Sequence, residues 1–188
     1  MQDYRININY AKALFLLADE EKDQERVSED MRLVNAVCNE NRELNVVFRN
    51  PEIKAEKKYA IIADIFGDHV GRTTMAFLNF VVRKNRTVNL KGISTAYLDL
   101  YRESRGIVLS HLTTAYPADE ETCTLATKVI ADYTHKEVEL VAQTDPKIIG
   151  GLAMEFDNTM YDARISTYLT KLRRAFEENV YEKKLWVL

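Results

Sequence analysis

The residues that come nearest to phosphate chemistry are Gly67-Asp68-His69-Val70-Gly71-Arg72-Thr73, two glycines followed by a cation and a hydroxyl. A phosphate loop needs four residues between its glycines, a lysine for the phosphates and a strand leading in. Here three residues separate the glycines, arginine replaces lysine and the preceding stretch has helical spacing, so the segment reads as a turn between helices. The adjacent pair Gly150-Gly151 lacks the third glycine and the immediate helix with which a dinucleotide fingerprint seats a pyrophosphate. Nor is it the GxxG clamp of a KH module. It lies in an apolar run that otherwise reads as a strand, where paired glycines weaken pairing unless a bulge, a bend or a close backbone approach requires them. Gly150 and Gly151 are therefore expected to form a structural bend, followed by a two-residue hairpin loop at Asp157-Asn158.

The remaining chemistry-bearing side chains are scattered. His69, His111 and His135 form no local metal motif, and neither HExxH nor GxSxG is present. Cys38 and Cys123 have no CxxC spacing, which fits two buried small hydrophobes in a reducing compartment. Asp162 has the chemistry of a general acid but the position of a turn or cap group before the last helix. Asn85-Arg86-Thr87 matches a glycosylation acceptor, which carries meaning only on a secretory route. No catalytic residue, cofactor site or metal site is assigned.

The elements that would position these groups follow from periodicity. At 188 residues, with 46% hydrophobic and 29% charged residues and a net charge of −3, the chain has the composition of a folded, soluble protein. That charge is opposite to the basic face of a nucleic-acid binder. No signal peptide opens the chain and no apolar run approaches the ~20 residues of a membrane span, so a cytoplasmic protein is expected. Up to Arg105 there are 17 basic and 16 acidic residues, and after it 9 and 13, as for two units with different surfaces.

The first hundred residues read as six helices. Tyr10, Ala11, Leu14, Leu17 and Ala18 share one face, and Val27, Met31, Val34 and Cys38 another. Leu44, Val47 and Phe48 belong to a shorter segment stopped by Asn50-Pro51. A fourth helix runs from Ile53 to Ile65, with Gly67 as its C-terminal cap. Thr73 to Lys84 is the most apolar, with Phe77, Leu78, Phe80, Val81 and Val82 around most of its circumference. Leu90, Ile93, Tyr97, Leu100, Tyr101 and Ser104 mark the sixth.

At Gly106 the pattern changes. Ile107 to Thr114 is β-branched and apolar. Asp119-Glu120-Glu121 then places acids at a helix start, and Leu125, Val129 and Tyr133 are expected to be that helix's buried face. Glu137 to Gln143 alternates, which completes a strand–helix–strand crossover with parallel strands. A hairpin and a last helix from Ile165 to about Lys184 follow. The fold class is α+β: an N-terminal six-helix bundle over residues 1–105, then a small C-terminal α/β domain over residues 106–188 with a βαβ unit, a hairpin and a last helix.

Three segments in order carry a resemblance to a family. They are Tyr10-Ala11-Lys12-Ala13-Leu14-Phe15; the run from Phe77 to Arg86, continuing to Tyr101 and Gly106-Ile107-Val108; and Asp145-Pro146-Lys147-Ile148-Ile149-Gly150-Gly151-Leu152 with Tyr161-Asp162-Ala163-Arg164-Ile165 and Leu169. The chain resembles, from Tyr4 to Glu178, the delta subunit of F-type ATP synthase, counterpart of the oligomycin-sensitivity-conferring protein. Ala163-Arg164 departs from the family's small residue followed by serine, Phe156-Asp157-Asn158 replaces a glycine-containing turn, and Leu185-Trp186-Val187-Leu188 lies beyond the resemblance.

The resemblance implies a non-catalytic peripheral-stalk subunit without cofactors, at the cytoplasmic face of the bacterial inner membrane. Its helical bundle would bind the amphipathic N-terminal segments of the alpha subunits, and its C-terminal domain the end of the b subunits. The head-binding groove is expected at Ala11, Leu14 and Phe15 of the first helix with Phe77, Phe80 and Val81 of the fifth, and the stalk-binding surface on the last helix and neighbouring strands. The alternatives from other classes are a small nucleotide-dependent enzyme using Gly67–Thr73 and a nucleic-acid adaptor using Arg83, Lys84, Arg86 and Lys91.

Overall fold

The structure is a computed structural model that describes residues 2–157 and 159–178. Asn158 of the expected hairpin loop, the end of the last helix towards Lys184, and the Leu185–Leu188 terminus lie outside the described residues. Contacts divide the chain into two units, Met1–Arg105 and Gly106–Leu188. An N-terminal helical bundle precedes a small α/β unit, as the periodicity predicts.

In the first unit the helices are α1 (Gln2–Glu20), α2 (Gln24–Glu40), α3 (Arg42–Arg49), α4 (Ala55–Phe66), α5 (Arg72–Arg83) and α6 (Leu90–Arg105). Val27, Met31, Val34 and Cys38 of α2 all point inward, at the three- and four-residue steps that put side chains on one helix face. Burial also pushes the Cys38 thiol up to about 11, so it stays protonated and acts as a small hydrophobe. Cys123, expected to be buried as well, is half-exposed. On α1 the buried stripe narrows to Ala11, Leu14 and Ala18, with Tyr10 and Leu17 at its margins. Tyr97 of α6 is fully buried at the centre, its ring tilted against Phe15 at 6.2 Å. α3 ends where Asn50 turns extended ahead of Pro51.

Two buried polar groups tie distant segments together. Asp30 of α2 accepts from Gly71 N (2.7 Å) and Thr74 Oγ1 (2.6 Å), capping α5 across 41 residues of sequence, with Arg26 Nε 3.3 Å away. Lys58 of α4 donates through Nζ to Phe48 O (3.1 Å) and Thr87 Oγ1 (3.4 Å), placing a cation against the free carbonyls of α3. Gly67 follows α4 with right-handed backbone and bonds Ala63 O, so it extends the last turn without the left-handed cap expected of it. Gly106, at φ +67, makes the left-handed turn that ends α6.

The second unit contains β1 (Ile107–Thr114), α7 (Glu120–Thr134), β2 (Glu137–Thr144), β3 (Leu152–Phe156), β4 (Thr159–Asp162) and α8 (Ile165–Glu178). The sheet order is β2-β1-β3-β4. β1 and β2 are parallel from Ile107↔Glu137 to Thr114↔Thr144, joined by α7. β3 runs antiparallel to β1, and β4 antiparallel to β3 with Phe156 opposite Thr159. Asp119 caps α7 by accepting from Thr122 N (2.9 Å).

α7 does not bury the expected row. Ala126 and Ile130 face Val108, Leu112, Met154 and Phe156 of the sheet, whereas Leu125 and Val129 are each 57% exposed and Tyr133 70%. The small Ala126 side chain lets the helix approach the sheet on that side, which turns the bulkier row outward. Around the double glycine the chain is also not a continuous strand. Asp145 accepts from Lys147 N (3.0 Å) and starts a 3-10 turn over Pro146–Ile148, and β3 begins only after Gly151. Gly151 has φ +78, and a side chain there would collide with Ala163 O.

Candidate partner-binding surfaces

Four of the six residues expected to line a groove in the first unit belong to its core. Ala11, Leu14, Phe77 and Val81 are buried, and Phe15 is half-buried against Tyr97. The twelve-residue α5 spends Phe77, Leu78, Val81 and Val82 on the bundle. Phe80 alone of the six is exposed, at 37%. Its ring lies 6.0 Å from Tyr10, so α1 and α5 present one surface here. Helical spacing puts Ile6, Ala13 and Leu17 on the Tyr10 face of α1. Ala13 and Leu17 are exposed, and the expected groove omits them because an exposed margin residue and a core residue look alike in a hydrophobic repeat. The Arg83 guanidinium carbon and Lys84 Nζ lie 5.5 and 5.7 Å from the Phe80 ring centre.

Among the described residues the second unit has two extended apolar surfaces. The outward row of α7 and the hairpin of β3 and β4 enclose an open cleft of about 670 Å³, lined chiefly by Leu125, Val129, Tyr133, Met154, Phe156 and Tyr161. It exists because α7 covers the β1 side of the sheet and stops short of the β4 edge. Tyr133 forms one wall, edge-on to Phe156 at 5.8 Å. The second surface is a stripe along α8, where Ile165, Tyr168, Leu169, Leu172 and Phe176 recur at three- and four-residue steps and are all exposed, Phe176 by 74%. The cleft could have been found in the sequence as the second of two apolar rows on α7, had there been a way to choose between them.

The polar groups that might have done chemistry have structural partners. Asp162 accepts from Arg164 N (3.0 Å), Arg164 Nε (2.8 Å), Arg164 Nη2 (2.7 Å) and Thr167 Oγ1 (2.9 Å) at the start of α8. These bonds to Arg164 hold its carboxyl well below the usual range, so at neutral pH it has no proton to give. The amide of Gly71, which a phosphate would seek at the start of α5, is occupied by the Asp30 carboxylate. His69, His111 and His135 are exposed, with His135 in the left-handed position that ends α7. Among the described residues no three His, Cys, Asp or Glu side chains gather as a metal site, and no helix is long and apolar enough to cross a membrane.

Comparison with known proteins bears on these surfaces. The profile of the family described as ATP synthase delta (OSCP) subunit matches residues 6–176. ATP synthase subunit delta of Cytophaga hutchinsonii is 33% identical over 180 residues, covering 96% of this chain and 98% of that protein. The Salinibacter ruber subunit delta is also 33% identical, over 95% and 94% of the two chains. Among solved structures, a chain of the cryo-EM structure of the Toxoplasma gondii mitochondrial ATP synthase hexamer has the same fold, with a TM-score of 0.72, 16% identity and coverage of 91% of this chain and 97% of that one.

Proposed function

The chain belongs to the ATP synthase delta (OSCP) subunit family, and from that premise we propose that it is a non-catalytic subunit of the peripheral stalk of an F-type ATP synthase. Residues 1–105 hold the N-terminal segments of the alpha subunits, and residues 106–188 hold the end of the b subunits. The chain thereby keeps the catalytic head from turning with the rotor during proton-driven ATP synthesis, as a peripheral protein at the cytoplasmic face of the bacterial inner membrane.

The observation that carries this reading is the uncovered apolar surface at helical spacing on the second unit, the α7 cleft together with the α8 stripe. Helix-in-groove docking uses anchors at such intervals. A static tether needs slow dissociation, which comes from a few buried aromatic and aliphatic anchors, each worth about 2 kcal/mol or more. The ionised Asp162 and the Asp30-occupied start of α5 favour a tether over the nucleotide-enzyme alternative.

The test is to purify the tagged full chain from a mild-detergent membrane extract. Catalytic head and b subunit should both accompany it in constant ratio. Recovery of the chain free of both would end this reading.

A further inference from the structure

Residues 69–98 hold Arg72, Arg83, Lys84, Arg86 and Lys91 and not one carboxylate, in a chain whose overall charge is −3. Three of these cations crowd the C-terminal end of α5, and all three are exposed. Among the described residues none of the three forms an ion pair. The carbonyl end of a helix attracts cations, which accounts for positive charge at this place. It does not account for Phe80, an exposed aromatic ring one turn back, with Arg83 and Lys84 held within 6 Å of its centre. Tyr10 packs against the same ring, its centre 6.0 Å away.

We infer that the Phe80–Arg83–Lys84 cluster selects an amphipathic helix carrying a carboxylate one turn from the apolar residue that packs on Phe80 and Tyr10. This rests on the stator reading of the first unit and adds to it the chemistry of the partner. The occupant is a protein helix with an acidic edge. A single-stranded nucleic acid would need free ring faces for stacking, and the Phe80 ring is already flanked by two cations and a tyrosine. Acids are favoured in the first turn of a helix, so the carboxylate suits the partner helix's N-terminal end.

The experiment titrates the full chain with three synthetic 18-residue amphipathic helices of the same Leu/Ala face. One carries glutamates on one edge, one glutamines and one lysines. The expected order is Glu tighter than Gln tighter than Lys. The Glu advantage should shrink between about 50 and about 300 mM salt as screening grows, and should fall about fivefold in the double variant Arg83→Gln, Lys84→Gln. Both substitutions are at exposed positions, and an unchanged circular dichroism spectrum confirms the fold. Equal binding of the Glu and Gln helices would overturn the charge selection while leaving the stator reading intact. Failure of all three helices, with membrane-extract recovery of head and b subunit intact, would remove the groove itself. Tighter binding of a 20-nucleotide single-stranded RNA than of the Glu helix would overturn it in favour of nucleic acid.

Discussion

The two units use their apolar residues in opposite ways. Among the described residues the first collects 21 buried apolar residues into one core, from Ala11 on α1 to Tyr101 on α6. Among the described residues the second has a core of six between α7 and the sheet, and the outer row of α7, Met160 and Tyr161 of β4, and the α8 stripe are exposed. Folding alone explains the first arrangement, since each helix hides its stripe on its neighbours. It does not explain the second, because a surface of that extent is stable in water only at a cost and commonly marks an interface. The first unit has the larger core, and it also leaves Leu16, Val46 and Phe80 exposed. In the proposed stalk role, the open surface of the second unit is the one a partner covers.

That contrast can be broken in several places. Tyr97→Ala should hurt most, costing about 3–5 kcal/mol in denaturant unfolding of the first unit, because a fully buried ring leaves a cavity that the surrounding helices cannot fill. A loss below about 1 kcal/mol would mean that the bundle is not packed as described. Asp30→Ala comes next, at about 2 kcal/mol, since it strands the Gly71 amide and the Thr74 hydroxyl at the start of α5. The paired change Leu125→Asp, Val129→Asp sharpens the comparison from the other side. Stability should move by no more than about 0.5 kcal/mol, whereas affinity for the b-subunit end, measured by calorimetry, should drop by about 2 kcal/mol or more. Unfolding of the double variant would show that the row is core after all.

Ile149 offers a smaller effect of opposite sign. This β-branched residue sits at φ +68 just before the double glycine, a conformation that costs a side chain about 1 kcal/mol or more. Ile149→Gly should raise the melting temperature of the second unit slightly, with the strain relief outweighing the added freedom of the unfolded chain. The smallest effect concerns pH. The folded-state pKa of Asp162 is depressed by its bonds to Arg164, so its contribution is present above the unfolded carboxylate value of about 3.9 and is lost as pH falls below it. The stability gap between the protein and Asp162→Asn should be constant from neutral pH down to about 5 and close in more acid solution. A gap that instead widened in acid would give the depression the wrong sign.

How much of this was legible in the sequence depends on distance along the chain. The α2 row of Val27, Met31, Val34 and Cys38 was readable because its members recur at three- and four-residue steps along one face of one helix. The parallel βαβ crossover followed from strand–helix–strand spacing, and the Asp119 cap from acids at a helix start. α7 failed because it has two apolar rows, and the choice between Ala126–Ile130 and Leu125–Val129–Tyr133 is made by the fit of a small residue to a sheet formed elsewhere. The groove residues divide between core and surface for a related reason. α5 is apolar nearly all round, so composition names the helix but cannot say that Phe77 and Val81 turn inward and Phe80 outward. The Asp30 cap and the Lys58 clamp span 41 and 10 residues and have no local signature at all.

A bridging assay tests the two-ended tether most directly. Catalytic head is immobilised through its alpha subunits, the full chain is added, and retention of soluble b-subunit stalk is measured. The expected result is that b is retained only when the chain is present, that Leu125→Asp, Val129→Asp abolishes retention of b with the chain still on the head, and that Phe80→Asp releases both. Retention of b to the same level without the chain, or displacement of the chain from the head by b, would contradict it.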